Sequence, residues 1–370
     1  MDTFLYGIPI IGLLFQIGGY LIEVLPTAAP TILAAATPLG FGALCGVACE
    51  RSGVVNIGIE GTMLTASFTG WIVAIASVAI LGPMEPGPLG VTPALLIGLV
   101  AAVLSAVGVS LLHAWLSISL RVDQIISGTI INIAAIGITG YLNNVISAAS
   151  PTSAGQFDKI EPPAGLTDLP VIGWLFDAIL NQGPITISLL VCVVVLQVLL
   201  FRSRWGLRTR SVGEQPKAAE TVGIDVIRLR YRNVLIGGVF AGLGGAFLSM
   251  ELSNAFQANG VAGRGFIALA ALIVGRWTPV GAFGATLFFS LFLTLGQTIG
   301  FAPPSGDLGG IVKALPAQVF SALPYIVTII AARAMKPRPA TPLAWNAFDS
   351  SIDRKAPPRP ANTPPMRTFR

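Results

Sequence analysis

The sequence predicts an all-α fold: a polytopic bundle of about 8–10 membrane-spanning helices, some of them broken or re-entrant. Three observations predict it. Hydrophobic residues make up 54% of the chain and charged residues 11%, with a mean hydropathy of +0.78. A soluble domain carries about 25% charged residues, so this chain cannot cover itself with polar surface. The apolar residues fall in runs that approach the roughly 20 residues a crossing takes. Finally, the basic residues are concentrated. Residues 202–232 hold eight, Arg202, Arg204, Arg208, Arg210, Lys217, Arg228, Arg230 and Arg232, whereas the preceding 201 hold only Arg51, Arg121 and Lys159. A basic loop between two spans is kept on the cytoplasmic side. The net charge of +5 sits in that loop and the C-terminal tail. It suits an anionic leaflet and not a nucleic acid.

The elements follow in order. Residues 1–29 form an apolar N-terminal segment in which 4–25 either spans or lies in the interface; Asp2 and the lack of an early basic residue argue against a signal peptide. The membrane core, 30–335, holds candidate spans at 30–48, 54–80, 93–119, 124–147, 184–201, 233–251, 280–300 and 318–335, and a short apolar piece at 265–275. With the loop 202–232 inside, 148–183 is a long external loop. Its Asp158, Glu161, Asp168 and Asp177 against a single Lys159 agree with that side. Arg51 and Arg121 then also lie inside. After Arg264 the count needs one more crossing to bring the basic tail inside. The candidates are 265–275 and the Gly/Pro-rich 302–317, both too short for an ordinary span and so expected to be irregular. Residues 336–370, with eight prolines, predict a disordered cytoplasmic tail. Within 233–251, Gly237, Ala241, Gly245 and Ser249 recur every fourth residue, with Gly238, Gly242 and Ala246 beside them. That stripe predicts close helix packing.

Two polar stretches interrupt the apolar pattern. Glu50–Gly61, ERSGVVNIGIEG, places Asn56 and Glu60 four apart, hence on one helical face. An intramembrane carboxylate is costly and marks function by default. Equally, Gly53, Gly58 and Gly61 permit a break whose freed amides polar side chains would satisfy. In 124–147, Gln124, Gly128 and Asn132 follow at four-residue steps with Ser127 beside them. Neutral amides suit a neutral, hydrogen-bonding solute, and they equally suit bonds between helices. Gln197 and Gln297 read as interhelical contacts, His113 as a structural interfacial histidine, and Cys45, Cys49 and Cys192 as packing residues. No HExxH, GxSxG or GxxxxGK[ST] pattern occurs, so no catalytic centre and no triphosphate site is read in this chain.

The central loop carries a resemblance. Lys217-Ala218-Ala219, three residues, then Gly223 is similar to the EAA…G coupling loop of bacterial ABC-importer permeases, with Lys in place of the first Glu. ERSGVVNIGIEG (50–61), RVDQIISGTIIN (121–132), VGEQPKAAETVGIDVIRLRY (212–231) and GRGFIALAALIVGRWTPVG (263–281) resemble permeases of the nucleoside and simple-sugar branch, most of all the second permease of general nucleoside importers. The resemblance implies a type II importer permease in the bacterial cytoplasmic (inner) membrane, not itself an enzyme. It implies an ATPase subunit that binds ATP and Mg, a second permease, and an extracytoplasmic substrate-binding protein. Glu214, Lys217, Ala218, Ala219 and Gly223 would contact the ATPase, and Asn56, Glu60, Gln124, Ser127 and Asn132 would line the path. Branched-chain amino acid or sugar transport, and a proton-coupled carrier using Glu60, are the alternatives.

Overall fold

The computed structural model describes residues 9–82, 85–147, 154–162, 164–167, 169, 172–301 and the positions 319, 322, 325, 326, 328 and 329. Among these residues there is no strand, and seven helices are long and apolar enough to cross a bilayer. The predicted span 318–335, the tail 336–370 and the alternative crossing 302–317 lie outside the described residues, apart from the isolated positions named.

The long helices are α1 (Pro9–Glu50), α2 (Ile59–Leu81), α3 (Pro93–Ala114, continued by the π-turn Trp115–Ser119) and α4 (Gln124–Ser147). A shorter helix α5 (Gly173–Leu180) precedes α6 (Pro184–Arg202). The basic loop contains α7 (Arg204–Glu214) and α8 (Pro216–Thr221). Then come α9 (Val226–Phe247, with the π-turn Leu248–Leu252), the short α10 (Arg264–Val274) and α11 (Pro279–Phe301).

Three expectations need correction. The N-terminal segments 4–25 and 30–48 are not separate, because α1 runs unbroken through Pro26, Pro30 and Pro38. A proline removes one amide, and a helix buried among others tolerates that. The carbonyls that lose a donor are those four residues earlier, Ile22, Pro26 and Ala34, and the Gln182 amide from outside the helix donates to Pro30 O in the same stretch. At about 63 Å α1 exceeds one bilayer, and Ile22–Glu50 is its spanning part. Second, the span expected from 54 begins at Ile59, because residues 51–58 are not helical. Third, the basic loop ends at Asp225, whose side chain caps α9 through the Arg228 amide; Val226–Arg232 belong to the long helix.

The short apolar piece 265–275 supplies the missing passage. The chain leaves α9 at the end remote from the basic loop, where Met250 O accepts the Phe157 amide of the 154–162 segment. It then descends without helix, and Phe256 wedges against Phe68 and Trp71 of α2. α10 starts in the interior and runs beside the last turns of α1, with Ala268 opposite Gly42 and Leu272 opposite Gly46. It finishes at the basic end, where Arg51 donates to the carbonyls of Trp277 and Arg276. Eleven residues rise about 16 Å, half a bilayer core, so an irregular half and a helical half together make one crossing.

α9 is the central helix, and its small residues work as the sequence predicts. Gly237 faces the thiols of Cys45 and Cys49 on α1; Gly238 and Gly242 face Ser110 and Val103 on α3; Gly245 faces the backbone of Met63 on α2. Ser249 adds a hydrogen bond to Ser67 O. The bundle therefore closes only if these positions stay small. Gly245→Leu should lower the thermal unfolding midpoint of the detergent-purified protein, by an overpacking cost of about 1–3 kcal/mol or more. Gly284→Ala on α11, where an added methyl group meets nothing within 4 Å, should leave it unchanged.

Candidate functional site

The polar residues singled out by the sequence converge on one feature, the non-helical segment between α1 and α2. It turns at Gly53, which has φ +86°, and climbs back along the last turns of α1 before α2 begins. Such a strand of backbone inside an apolar bundle exposes amides and carbonyls that lipid cannot satisfy, each costing about 1–3 kcal/mol if left unpaired.

Helices α3 and α4 satisfy them. The Val55 amide donates to Gln124 Oε1 at 2.7 Å. His113 Nε2 donates to Val55 O at 3.1 Å, which fixes the ring so that, in neutral imidazole, Nδ1 accepts from the Ser127 hydroxyl at 3.1 Å. The Asn132 amide is used twice: Nδ2 donates to Ile57 O at 3.0 Å, and Oδ1 accepts from the Gly61 amide at 2.8 Å. Gly128 makes this possible, because a side chain there would collide with Gly58 N. The four-residue spacing of Gln124, Gly128 and Asn132 is thus a ladder read by the facing backbone.

Glu60, 3% exposed, faces the other way. Its two oxygens accept the amides of Gly263 and Gly265 at 2.7 and 2.6 Å. It closes the first turn of α10, where unpaired amides and the positive end of the helix dipole meet a carboxylate. Gly263 has φ +83° and Gly265 allows no side chain against Glu60. Asn56 is 1% exposed and does not share a helical face with Glu60, because it precedes α2 in the irregular segment. Its Nδ2 points to the sulfurs of Cys45 and Cys49 at 3.8 and 4.0 Å, and its Oδ1 meets no donor among the described residues.

At the basic end the same segment is gripped from below. Gly213 at the end of α7 packs on Arg51 O, so closely that no side chain fits. Arg230 of α9, 1% exposed, donates to Ser52 O at 3.0 Å. Trp277 Nε1 donates to Glu50 Oε2. Sequence reading missed the roles of Arg230 and of Glu50 with Trp277, because their bonds join residues 178 and 227 positions apart. It also missed Glu251, whose carboxylate accepts the Ile185 and Thr186 amides and the Thr186 hydroxyl at the start of α6. Its only signal was a carboxylate at the end of an apolar run. Gln197 accepts the Val280 amide at 3.3 Å, an interhelical contact as expected.

The loop helix α8 ends in a Schellman motif. Ile224 N donates to Ala219 O and Gly223 N to Glu220 O, with Gly223 at φ +82°. This divides the expected docking set. Ala219 is turned inward onto Val212 and Val226. Lys217, Ala218, Gly223 and Glu214 are exposed, and Val222 beside them is 75% exposed.

Comparison with known proteins adds the following. The family model described as the permease component of branched-chain amino acid transport systems matches residues 29–332. The guanosine ABC transporter permease protein NupQ of Bacillus subtilis is 37% identical over 320 residues, 84% of this chain and 92% of the relative. The nucleoside ABC transporter permease protein NupC of Lactococcus lactis is 37% identical over 295 residues, 80% and 87% of the two chains. A second Lactococcus lactis protein, the nucleoside ABC transporter permease protein NupB, is 26% identical over 337 residues, 86% and 84%. No solved structure matches.

Asn132→Ala should destabilise the protein by about 1–3 kcal/mol for each of the two backbone groups it leaves unpaired. Thr129→Ala, one turn away and bonded only to its own helix, should cost little. Comparing their unfolding midpoints in detergent checks the ladder.

Proposed function

Because this chain belongs to the permease family of branched-chain amino acid transport systems, we propose that it is a translocation subunit of an ATP-driven importer for nucleosides. The substrate reading rests on the two relatives at 37% identity, whose names specify guanosine and nucleosides. In this reading the chain sits in a bacterial cytoplasmic membrane, and the concentration of arginines in the basic loop supports placing that loop inside. It pairs with a second permease and receives solute from an extracytoplasmic binding protein. That two nucleoside permeases of one organism match it at unequal identity supports a pair of unlike chains.

The observation that carries the mechanical part is the close packing of α7 on the α1–α2 break at Gly213, with α8 packed in turn on α7 through Ala219 and Val212. A separate ATPase subunit, holding ATP and Mg, docks on the exposed side of α8 around Lys217, Ala218 and Gly223. Displacement of α8 passes through Gly213 to Arg51, along 51–58 to Glu60, and so to the first turn of α10. Every joint in that line is a close backbone contact or a hydrogen bond to backbone, so the segment moves as a rigid unit between packed states. Asn56, Gln124, Ser127 and Asn132 shape the wall of the path by holding this unit, and a solute meets the surface they set. A proton carrier built on Glu60 is disfavoured, because both carboxylate oxygens are engaged by amides.

Uptake by the reconstituted importer should be competed by guanosine, adenosine and uridine, and not by leucine; competition by leucine alone defeats the substrate reading. Gly223 tests docking. Asparagine tolerates its left-handed backbone and should retain most uptake. Gly223→Glu should lower uptake by about tenfold, the equivalent of ~1.4 kcal/mol at the contact, with membrane insertion unchanged and ATP hydrolysis no longer stimulated by substrate.

A further inference from the structure

Two grooves open on the outer surface of α9 at the basic end, and neither has a part in the translocation unit. The first, about 430 Å³, runs between α3 and α9 and is lined by Arg228, Tyr231, Arg232, Leu235 and Val239. The second, about 190 Å³, lies between α6 and α9, with Trp205, Leu196, Leu199 and Phe240 in its walls. They share Arg232 and Ile236, so they flank one ridge of α9 and form a two-pronged cleft. Along the helix the cleft changes character. Arg228, Tyr231 and Arg232 occupy its mouth, and Leu235, Ile236, Val239 and Phe240 follow one and two turns deeper into the apolar bundle.

That order matches a phospholipid in the leaflet on the basic side. Aromatic rings with a polar tip belong at headgroup level, where Trp205 donates to Asn233 and Tyr231 bonds the Ser119 hydroxyl. Trp115, one turn before Ser119, is exposed as well. The side chain of Arg232 is exposed and makes no hydrogen bond or salt bridge among the described residues. Arg228 has only the exposed Asp225, at 3.6 Å. Two guanidinium groups above two apolar slots are complementary in charge and shape to one phosphate carrying two acyl chains. A soluble partner docking from the aqueous side would leave the deep apolar walls unfilled.

We propose that this cleft is a binding site for an anionic phospholipid, with the phosphate on Arg232 and Arg228 and the two chains divided by Ile236. The lipid would sit against α9 beside the coupling helices and fix the depth of the basic end in the membrane.

The test uses the complete transporter, purified and placed in nanodiscs containing equal phosphatidylglycerol and phosphatidylcholine, with retained lipid counted by native mass spectrometry. Wild type should retain phosphatidylglycerol preferentially. Arg232→Gln should lower that retention about fivefold, the effect of one cationic side chain at a membrane surface, and Arg232→Lys should restore most of it. Arg208→Gln, which removes an exposed arginine outside the cleft, should match wild type. Arg228→Gln gives a second reading should Arg232→Gln fail to assemble, and should also lower retention. Equal retention of both lipids, equal losses in the Arg208 and Arg232 variants, displacement of the lipid by soluble glycerol phosphate, or loss of the ATPase subunit with lipid retention unchanged would each overturn the proposal.

Discussion

Non-helical backbone in a bilayer must be paid for by protein, since lipid offers neither donors nor acceptors. That constraint organises this molecule. Residues 51–58 leave the helical ladder in the interior, and α10 begins there with unpaired amides. Gln124, His113 and Asn132 answer the first and Glu60 the second. Because each of these residues bonds backbone, it fixes a position of the main chain. The two breaks are thereby tied together: Glu60 belongs to the start of α2 and holds the start of α10.

The same logic explains where the small residues fall. Gly128, Gly213 and Gly265 each stand where two backbones approach too closely for any side chain, and each lies against the 51–61 stretch. The stripe on α9 has another task, letting α1, α2 and α3 pack on one central helix. Glycine therefore plays two parts here. One joins the irregular segment to its neighbours and the other compacts the bundle.

The spans were legible because burial in lipid demands a nearly continuous apolar run, and α3, α4, α6 and α11 match the predicted boundaries closely. The irregular crossing was legible as a parity requirement, since the tail's charges had to return to the basic side. Continuity of α1 was not legible, because Pro26 and Pro30 signal a stop locally and are overridden only by neighbours far away in sequence. For the same reason ERSGVVNIGIEG announced that a break was possible without saying what would fill it. The partners of Val55, Ile57 and Glu60 lie 58 to 205 residues away. Glu251 and Arg230 escaped notice because a charge at the end of an apolar run looks solvated until the element it caps is known.

Glu60 shows how cost and function are to be separated. Taken alone, a carboxylate in an apolar span is expensive and so invites a transport role. Here its expense is offset by two short bonds from amides that would otherwise be unpaired themselves. Removing either partner would leave the other exposed, so neither can be lost without the other, and the pair would persist in a protein with no proton chemistry at all. If the chain works as proposed, its importance is mechanical. The carboxylate joins the start of α2 to the first turn of α10, while Arg51 joins the same segment to the turn after α10, and a joint of that kind transmits displacement only while its bonds hold.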